Sequence, residues 1–358
     1  MDSLVTRIGV GIVGFAHGHV DAYCRAWAQN HDLGIEVIAG WDHDQERLSA
    51  AGTTHGIETY SDIDKLLGQV SIQAVVIAAE TSMHAELVEK VASHHKAIIL
   101  QKPMATTLSD SDRIVKAVAR HDVPFTMAWQ MRVDPQNLKI KALVDSGQFG
   151  RLFMVRRRHG LPTHQWPEFG ESWHVDSRMN RDIWADDAAH PIDFLHWLLG
   201  VPETVTAEIE SLLDPKVPMD NGIAVFRYQD GPIAEISCSF TCSAAENTTE
   251  VIAENGTIIQ NYGDVPSCNA PRPGDAEGLR WFLTAENRWT PSGIASPTNH
   301  GTRIADLAKP LAEFLHKERG PIATAQEGRT SLMMTLACYV SAREGRRVRL
   351  DECATTQI

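Results

Sequence analysis

The chain has 358 residues, 43% hydrophobic and 22% charged, a balance that fits a globular protein of about two domains and excludes a disordered one. Its 46 acidic side chains outnumber 33 basic ones, for a net charge of −13 at pH 7. That argues against a general nucleic-acid binder, because phosphate contacts need a basic face.

In chain order, residues 7–13 form a short apolar strand broken by glycines rather than a signal peptide, and a helical pattern follows to about residue 29. A strand at 35–41, short helices at 45–52 and 63–67, and a fully apolar strand at 74–79 come next. Thr81 or Ser82 caps a helix that runs to about His94. A strand at 97–100 leads to Thr107 and Asp110, whose capping-box spacing opens a helix over 113–120. A last strand at 125–129 completes an alternation of strands and helices that predicts a parallel sheet.

Beyond residue 130 the pattern changes. A helix at 137–146 ends at Gly147, and 151–158 reads as a strand containing Arg156-Arg157-Arg158. Alternation along a strand lets at most one or two of these arginines share a pocket, and the plain reading is solvated charge on an edge strand. A Trp-, His- and Pro-rich stretch covers 161–184, and a helix at 188–199 stops at Gly200. Strands at 204–211, 222–227, 233–240, 248–253 and 257–260 suggest an antiparallel meander, with Asp230-Gly231 as one of its turns. Residues 263–300 read as a loop, and helices near 304–318 and 326–344 close the chain. No apolar stretch is long enough to span a bilayer. Cys24, Cys238, Cys242, Cys268, Cys338 and Cys353 form no CxxC pair, which predicts reduced, mostly buried thiols and a cytoplasmic protein.

The first chemical signal is Gly11-Ile12-Val13-Gly14-Phe15-Ala16-His17-Gly18-His19, where the first strand meets the first helix. Glycines there let the backbone approach a pyrophosphate, and the helix start offers free N–H groups. Against GxGxxG, Ala16 stands at the second glycine and the third is displaced. Asp42 closes the second strand, where a carboxylate accepts hydrogen bonds from a ribose 2′-hydroxyl and repels a 2′-phosphate, favouring NAD over NADP. His17 and His19 alone do not make a zinc site, so no metal is expected; they fit over the cofactor or substrate pocket, or at the helix cap.

Thr81-Ser82-Met83-His84, Gln101-Lys102-Pro103 and Asp186…His190…Asp193 together resemble the marks of the Gfo/Idh/MocA oxidoreductases. Asp220-Asn221-Gly222, Asp230-Gly231 and Ser341-Ala342…Gly345-Arg346 extend the resemblance over nearly the whole chain. Two positions depart from the family pattern: Gln101 replaces its glutamate and Ala188 its glycine. The resemblance implies a Rossmann, doubly wound parallel sheet over 1–130. It implies an α+β domain with a large open, mainly antiparallel sheet over 131–358, whose closing helices pack back on the Rossmann domain. It also implies a homodimer or homotetramer built on the open sheet.

By the same resemblance Lys102, Asp186 and His190 are the catalytic set. The cofactor set is Gly11, Gly14, Phe15, Ala16, His17, Asp42, Thr81, His84, Gln101 and Lys102. The residue types suit oxidation of a secondary alcohol. A histidine takes the proton, a lysine polarises the oxygen, an aspartate orients the histidine, and nicotinamide carries the hydride. Asp186, His190 and Asp193 would share one face of a helix. Read without the resemblance, Asp186 is equally an N-cap, His190 and Asp193 a helix-face pair, and Lys102 a loop lysine. The implied substrate is a sugar, inositol or related polyol lying over the nicotinamide, between the Rossmann edge and the antiparallel sheet. His159, Trp173, His174 and Asp193 are candidates to meet it; the tryptophans are equally suited to core packing. Two other functions use the same parts: a redox-neutral, NAD-dependent glycosidase acting through transient sugar oxidation, and a non-catalytic NAD-binding regulator, which would not need Lys102 and His190.

Overall fold

The computed structural model describes residues 7–244, 247–261, 278–295 and 300–353. Cys268 and half of the 263–300 loop lie outside the described residues. The chain forms two compact units. The first takes the chain up to Gln130, with Arg178–Asn180 and Ile304–Arg329. The second takes Met131–Ser177, Arg181–Arg303 and the chain from Thr330.

The first unit alternates β1 (Ile8–Val13), α1 (His19–Gln29), β2 (Ile35–Trp41), α2 (Gln45–His55), β3 (Glu58–Tyr60), α3 (Ile63–Leu67), β4 (Ala74–Ile77), α4 (His84–Ser93), β5 (Ala97–Leu100), α5 (Leu108–His121) and β6 (Phe125–Met127). All six strands are parallel, in the order β3-β2-β1-β4-β5-β6. The order reverses between β1 and β4, and the carboxyl ends of those two strands form the crevice where such sheets bind ligands. Ala74–Ile77 is buried throughout, as a strand covered on both faces requires. The Thr107 hydroxyl accepts from the Asp110 amide, and the Asp44 carboxylate caps α2 through the Glu46 and Arg47 amides. Helix α2 continues past Gly52, where the sequence suggested a stop, and ends at the left-handed Gly56. Gly52 is a packing glycine: a Cβ there would lie 2.5 Å from the Thr59 methyl on β3.

In the second unit, α6 (Pro135–Asp145) begins with Asp134 as its cap and proline in its first turn. It is followed by β7 (Leu152–Gly160), a π-helical turn at Trp184–Ala188, and α7 (Ala189–Leu199). The remaining strands are β8 (Thr204–Glu210), β9 (Asn221–Arg227), β10 (Ile233–Ser239), β11 (Thr248–Ala253), β12 (Gly256–Gln260), β13 (Leu279–Leu283), β14 (Arg288–Pro291) and β15 (Val348–Arg349). They form one nine-stranded sheet in the order β14-β13-β12-β11-β7-β10-β9-β8-β15. Alternation buries Val205, Ala207 and Ile209 of β8 and Ala234, Ile236 and Cys238 of β10. These join a core with Phe194, Leu195 and Leu198 of α7.

Four expectations change here. The sheet is not a plain meander, because β7 lies at its centre, parallel to β10 and antiparallel to β11. The arginine run is therefore not on an edge. Arg157 points inward, 4.0 Å from the Phe194 ring and bonded to Thr249, while Arg156 pairs with Glu235 and Glu250. Part of the 263–300 loop is a hairpin of β13 and β14, whose turn is set by Asn287 at φ +48. The closing segment also splits into α8 (His300–Ala305) and α9 (Ala308–Leu315), followed by α10 (Ala325–Glu344) and α11 (Leu350–Cys353). The Trp27 indole of α1 donates to the Ala308 carbonyl at 2.8 Å, which fastens α9 within the first unit.

Candidate functional site

At the crevice of the first unit, Gly14 has φ +86, and a Cβ there would lie 2.4 Å from the Ala79 nitrogen. Only glycine lets the β1–α1 turn run this close to the end of β4. Helix α1 starts after Gly18 with no side-chain cap, and a Cβ on Gly18 would meet nothing within 4 Å. The first amides of the helix turn back on the chain, His19 N–H toward His17 Nδ1 at 3.5 Å and Val20 N–H to the His17 carbonyl at 3.2 Å, and the missing Cβ of Gly18 leaves room beside them for a pyrophosphate. Thr81 is buried, and its hydroxyl has no hydrogen-bond partner among the described residues. The turn, the room over Gly18 and this hydroxyl fit a dinucleotide.

Asp42 is fully buried just after β2. Its Oδ2 accepts from the Phe15 amide and from Arg47 Nε, both at 2.7 Å. Its Oδ1 accepts from Arg47 Nη2 at 2.8 Å and from the Asp44 amide at 2.9 Å. Arg47 also reaches Glu80 at 2.9 Å. The sequence reading missed Arg47; its position five residues after Asp42, on the first turn of a capped helix, was the available signal. The Phe15 ring packs on Gly40, where a Cβ would come within 2.7 Å of it. His17 is buried, its amide donates to the Ala78 carbonyl, and its ring lies edge-on to His19.

Lys102 is buried on the loop after β5. The fully buried Gln101 donates from its side chain to the Tyr23 hydroxyl and accepts from the Lys102 amide at 3.3 Å. A neutral amide makes both contacts without placing an uncompensated charge in the core, which accounts for glutamine where the family pattern has glutamate. Burial pushes the Tyr23 hydroxyl well above its usual range, so it stays protonated. His84 corrects an expectation. It is fully buried, with Nδ1 against the Pro103 and Met104 carbonyls (3.0 and 3.2 Å) and Nε2 against the Ala79 carbonyl (3.1 Å). Its two nitrogens face backbone oxygens of the lysine loop and of the segment after β4, and the one N–H of the neutral ring donates to one side or the other, which leaves no nitrogen turned to a cofactor. Burial lowers its pKa.

The second unit holds the histidine–carboxylate cluster. The π turn at Trp184–Ala188 feeds directly into α7, and it buries both Asp186 and Asp187. Asp186 Oδ2 lies 3.1 Å from His174 Nδ1, and the His174 ring stacks with Trp173 (centroids 4.0 Å) and Phe169 (5.9 Å). Asp187 Oδ2 lies 3.0 Å from His159 Nε2, and its Oδ1 lies 3.4 Å from His190 Nε2. Asp193 departs from the expected substrate role. It is fully buried, receives Arg132 Nε and Nη2 at 2.8 Å each, and accepts from the Ser331 hydroxyl at 2.8 Å. Asp186 lies in the π turn and His190 and Asp193 in α7, so the three do not belong to one continuous α-helix. Asp187 was legible only as a neighbour of Asp186. Among the described residues, no three His, Cys, Asp or Glu side chains are grouped to hold a metal.

Residues 8–129 match the NAD-binding Rossmann-fold domain of the GFO/IDH/MocA oxidoreductase family, and residues 137–259 match its C-terminal domain. The chain belongs to this family. It is an NAD-binding oxidoreductase with a parallel Rossmann sheet followed by a mainly antiparallel one. Myo-inositol 2-dehydrogenase of Thermotoga maritima is 23% identical over 96% of this chain and 98% of its own. D-apiose dehydrogenase of Paraburkholderia graminis is 26% identical over 91% and 88%. Among solved structures, the WlbA dehydrogenase of Bordetella pertussis, in complex with NADH and UDP-GlcNAcA, shares the fold. Its TM-score is 0.77, with 24% identity over 96% of this chain and 98% of that one.

Proposed function

We propose that the protein is an NAD-dependent dehydrogenase of a sugar, inositol or related polyol, with Lys102, Asp186 and His190 as its catalytic set. Bound NAD supplies the hydride acceptor. The N-terminus of α1 and the Gly14 turn would hold its pyrophosphate, Thr81 would donate to it, and Asp42, whose oxygens already accept from Phe15, Asp44 and Arg47, would exchange an Arg47 bond for the ribose and disfavour NADP. Lys102 stabilises negative charge on the substrate oxygen as its proton leaves. His190 takes that proton and returns it in the reverse direction. Asp186 adds a carboxylate to the cluster and aims His174, whose stacked Trp173 offers an aromatic face to a sugar ring.

The observation that carries this reading is a buried imidazole paired with a buried carboxylate on a segment matched to the family's C-terminal domain. The names of the two curated relatives support the substrate class. We further propose a cytoplasmic homodimer or homotetramer joined through the outward face of the nine-stranded sheet, where Ile223 is exposed. Size-exclusion chromatography with light scattering tests that assembly.

The activity test mixes purified protein, NAD+ and a panel of sugars, inositols and glycosides, following NADH absorbance and sugar products together. NADH is expected to rise with a polyol, and Lys102→Ala and His190→Ala each to cut turnover about a hundredfold or more. Near-unaltered rates in both variants overturn the assignment. A changed glycoside with no net NADH replaces it with the redox-neutral reaction.

A further inference from the structure

We infer that His159, Asp187 and His190 act as one unit, in which Asp187 sets the proton position on the His190 ring and His159 aims Asp187. The inference rests on the assignment of His190 as the acid–base group.

Asp187 stands between the two rings, with Oδ2 3.0 Å from His159 Nε2 and Oδ1 3.4 Å from His190 Nε2. The ring centroids are 6.1 Å apart, and all three side chains are buried. An ionised carboxylate can only accept hydrogen bonds. Both histidines must therefore present N–H at Nε2, which makes Nδ1 the basic nitrogen of His190. In the forward reaction the substrate O–H bond would break and an Nδ1–H bond would form on His190, and bound NAD would supply the acceptor for the hydride leaving the same carbon. The ring becomes a cation with Asp187 facing its far side, and the reverse reaction returns the proton from Nδ1.

His159 explains how Asp187 keeps its aim. The terminal torsion of a carboxylate is soft and roughly two-fold, so a single 3.4 Å contact would not fix it. The stronger bond to His159 does, because β7 is held by backbone pairing to β10 and β11. His159 Nδ1 is buried with no hydrogen-bond partner among the described residues. An orphaned nitrogen is an unfavourable choice for a residue that only packs. A residue needed for the donor on its other nitrogen accounts for it. The π turn makes the arrangement possible: Asp186 and Asp187 are adjacent, yet each has its own histidine.

The test combines ring-nitrogen NMR of the full-length, 15N-labelled protein with kinetics. Both His159 and His190 are expected as Nε2–H tautomers, and Asp187→Leu is expected to shift His190 toward Nδ1–H. A His190 ring that is Nδ1–H in the unaltered protein, or unmoved by Asp187→Leu, overturns the inference without any substrate. In turnover, Asp187→Leu and His159→Leu should lower kcat roughly ten- to a hundredfold with KM nearly unchanged. Asp187→Leu should also move the acid limb of the kcat profile to lower pH, since loss of a facing carboxylate makes His190 less basic. His159→Gln, which keeps a side-chain N–H donor, should recover most of the kcat that His159→Leu loses. If His190→Ala turns over normally, the functional reading itself falls. If His190→Ala is inactive while both leucine variants keep kcat and pH profile, only this inference falls.

Discussion

Replacing Asp193 separates architecture from chemistry in the second unit. Asp193→Ala removes both acceptors of the Arg132 fork and one partner of Ser331, all buried. Stripping one partner from a buried ion pair costs about 3–5 kcal/mol, because a charge is left without compensation. In a unit of this size each kcal/mol moves the melting temperature about 2–4 °C, so a fall of roughly 10 °C is expected by calorimetry. Arg132→Met combined with Asp193→Leu removes both charges and should recover more than half of that loss. Well below the melt, kcat and KM of Asp193→Ala should stay within about twofold of the unaltered protein, the usual reach of a residue away from the reacting atoms. A melting shift under about 2 °C, or a fall in kcat at unchanged melting temperature, would refute the structural role and return Asp193 to the substrate.

Two further outcomes follow from named contacts. Gly14→Ala places a methyl 2.4 Å from the Ala79 nitrogen at φ +86. It should weaken NAD binding at least about tenfold in a tryptophan-fluorescence titration, and an unchanged Kd would dissociate the turn from the cofactor. Burial opposes ionisation of Asp220, but the Leu212, Leu213 and Asp214 amides and the Asn221 side chain outweigh it and hold its pKa below 3.8. The unfolded chain then binds the proton more readily, so this stability is complete above pH 3.8 and is lost as pH falls through the lower folded value. Acid titration of Asp220→Asn should show a smaller loss of melting temperature in that window, and an equal loss would remove Asp220 as the cause.

The first unit was the more legible because its signals are local. Apolar runs such as Ala74–Ile77, the Thr107 to Asp110 cap and the Gly14 turn each announce themselves within a few residues. Asp230-Gly231 likewise marked its hairpin, with Asp230 left-handed at φ +52 between β9 and β10. What stayed hidden depends on partners far along the chain. Nothing near Arg157 indicates that β7 will be central, and nothing near Asp193 announces Arg132, 61 residues earlier. The hairpin of β13 and β14 escaped because Leu279–Leu283 lacks clean alternation. The π turn escaped because its aspartates read equally as one orienting carboxylate and a neighbour. Motif spacing pointed to His190, but it could not say which carboxylate would face it.

Strand β7 carries one further consequence, for how this protein can change over time. Its successive residues serve opposite sides of the sheet: Arg157 and His159 are inside, Arg156 and Arg158 outside. Point substitutions on one side leave the other side's geometry intact. Adding or deleting a single residue would exchange the two sets, driving the outer arginines into the apolar layer and His159 out to water. Lineages descending from this sequence are therefore free to vary the composition of β7's outer row, while its length is locked to the position of His159.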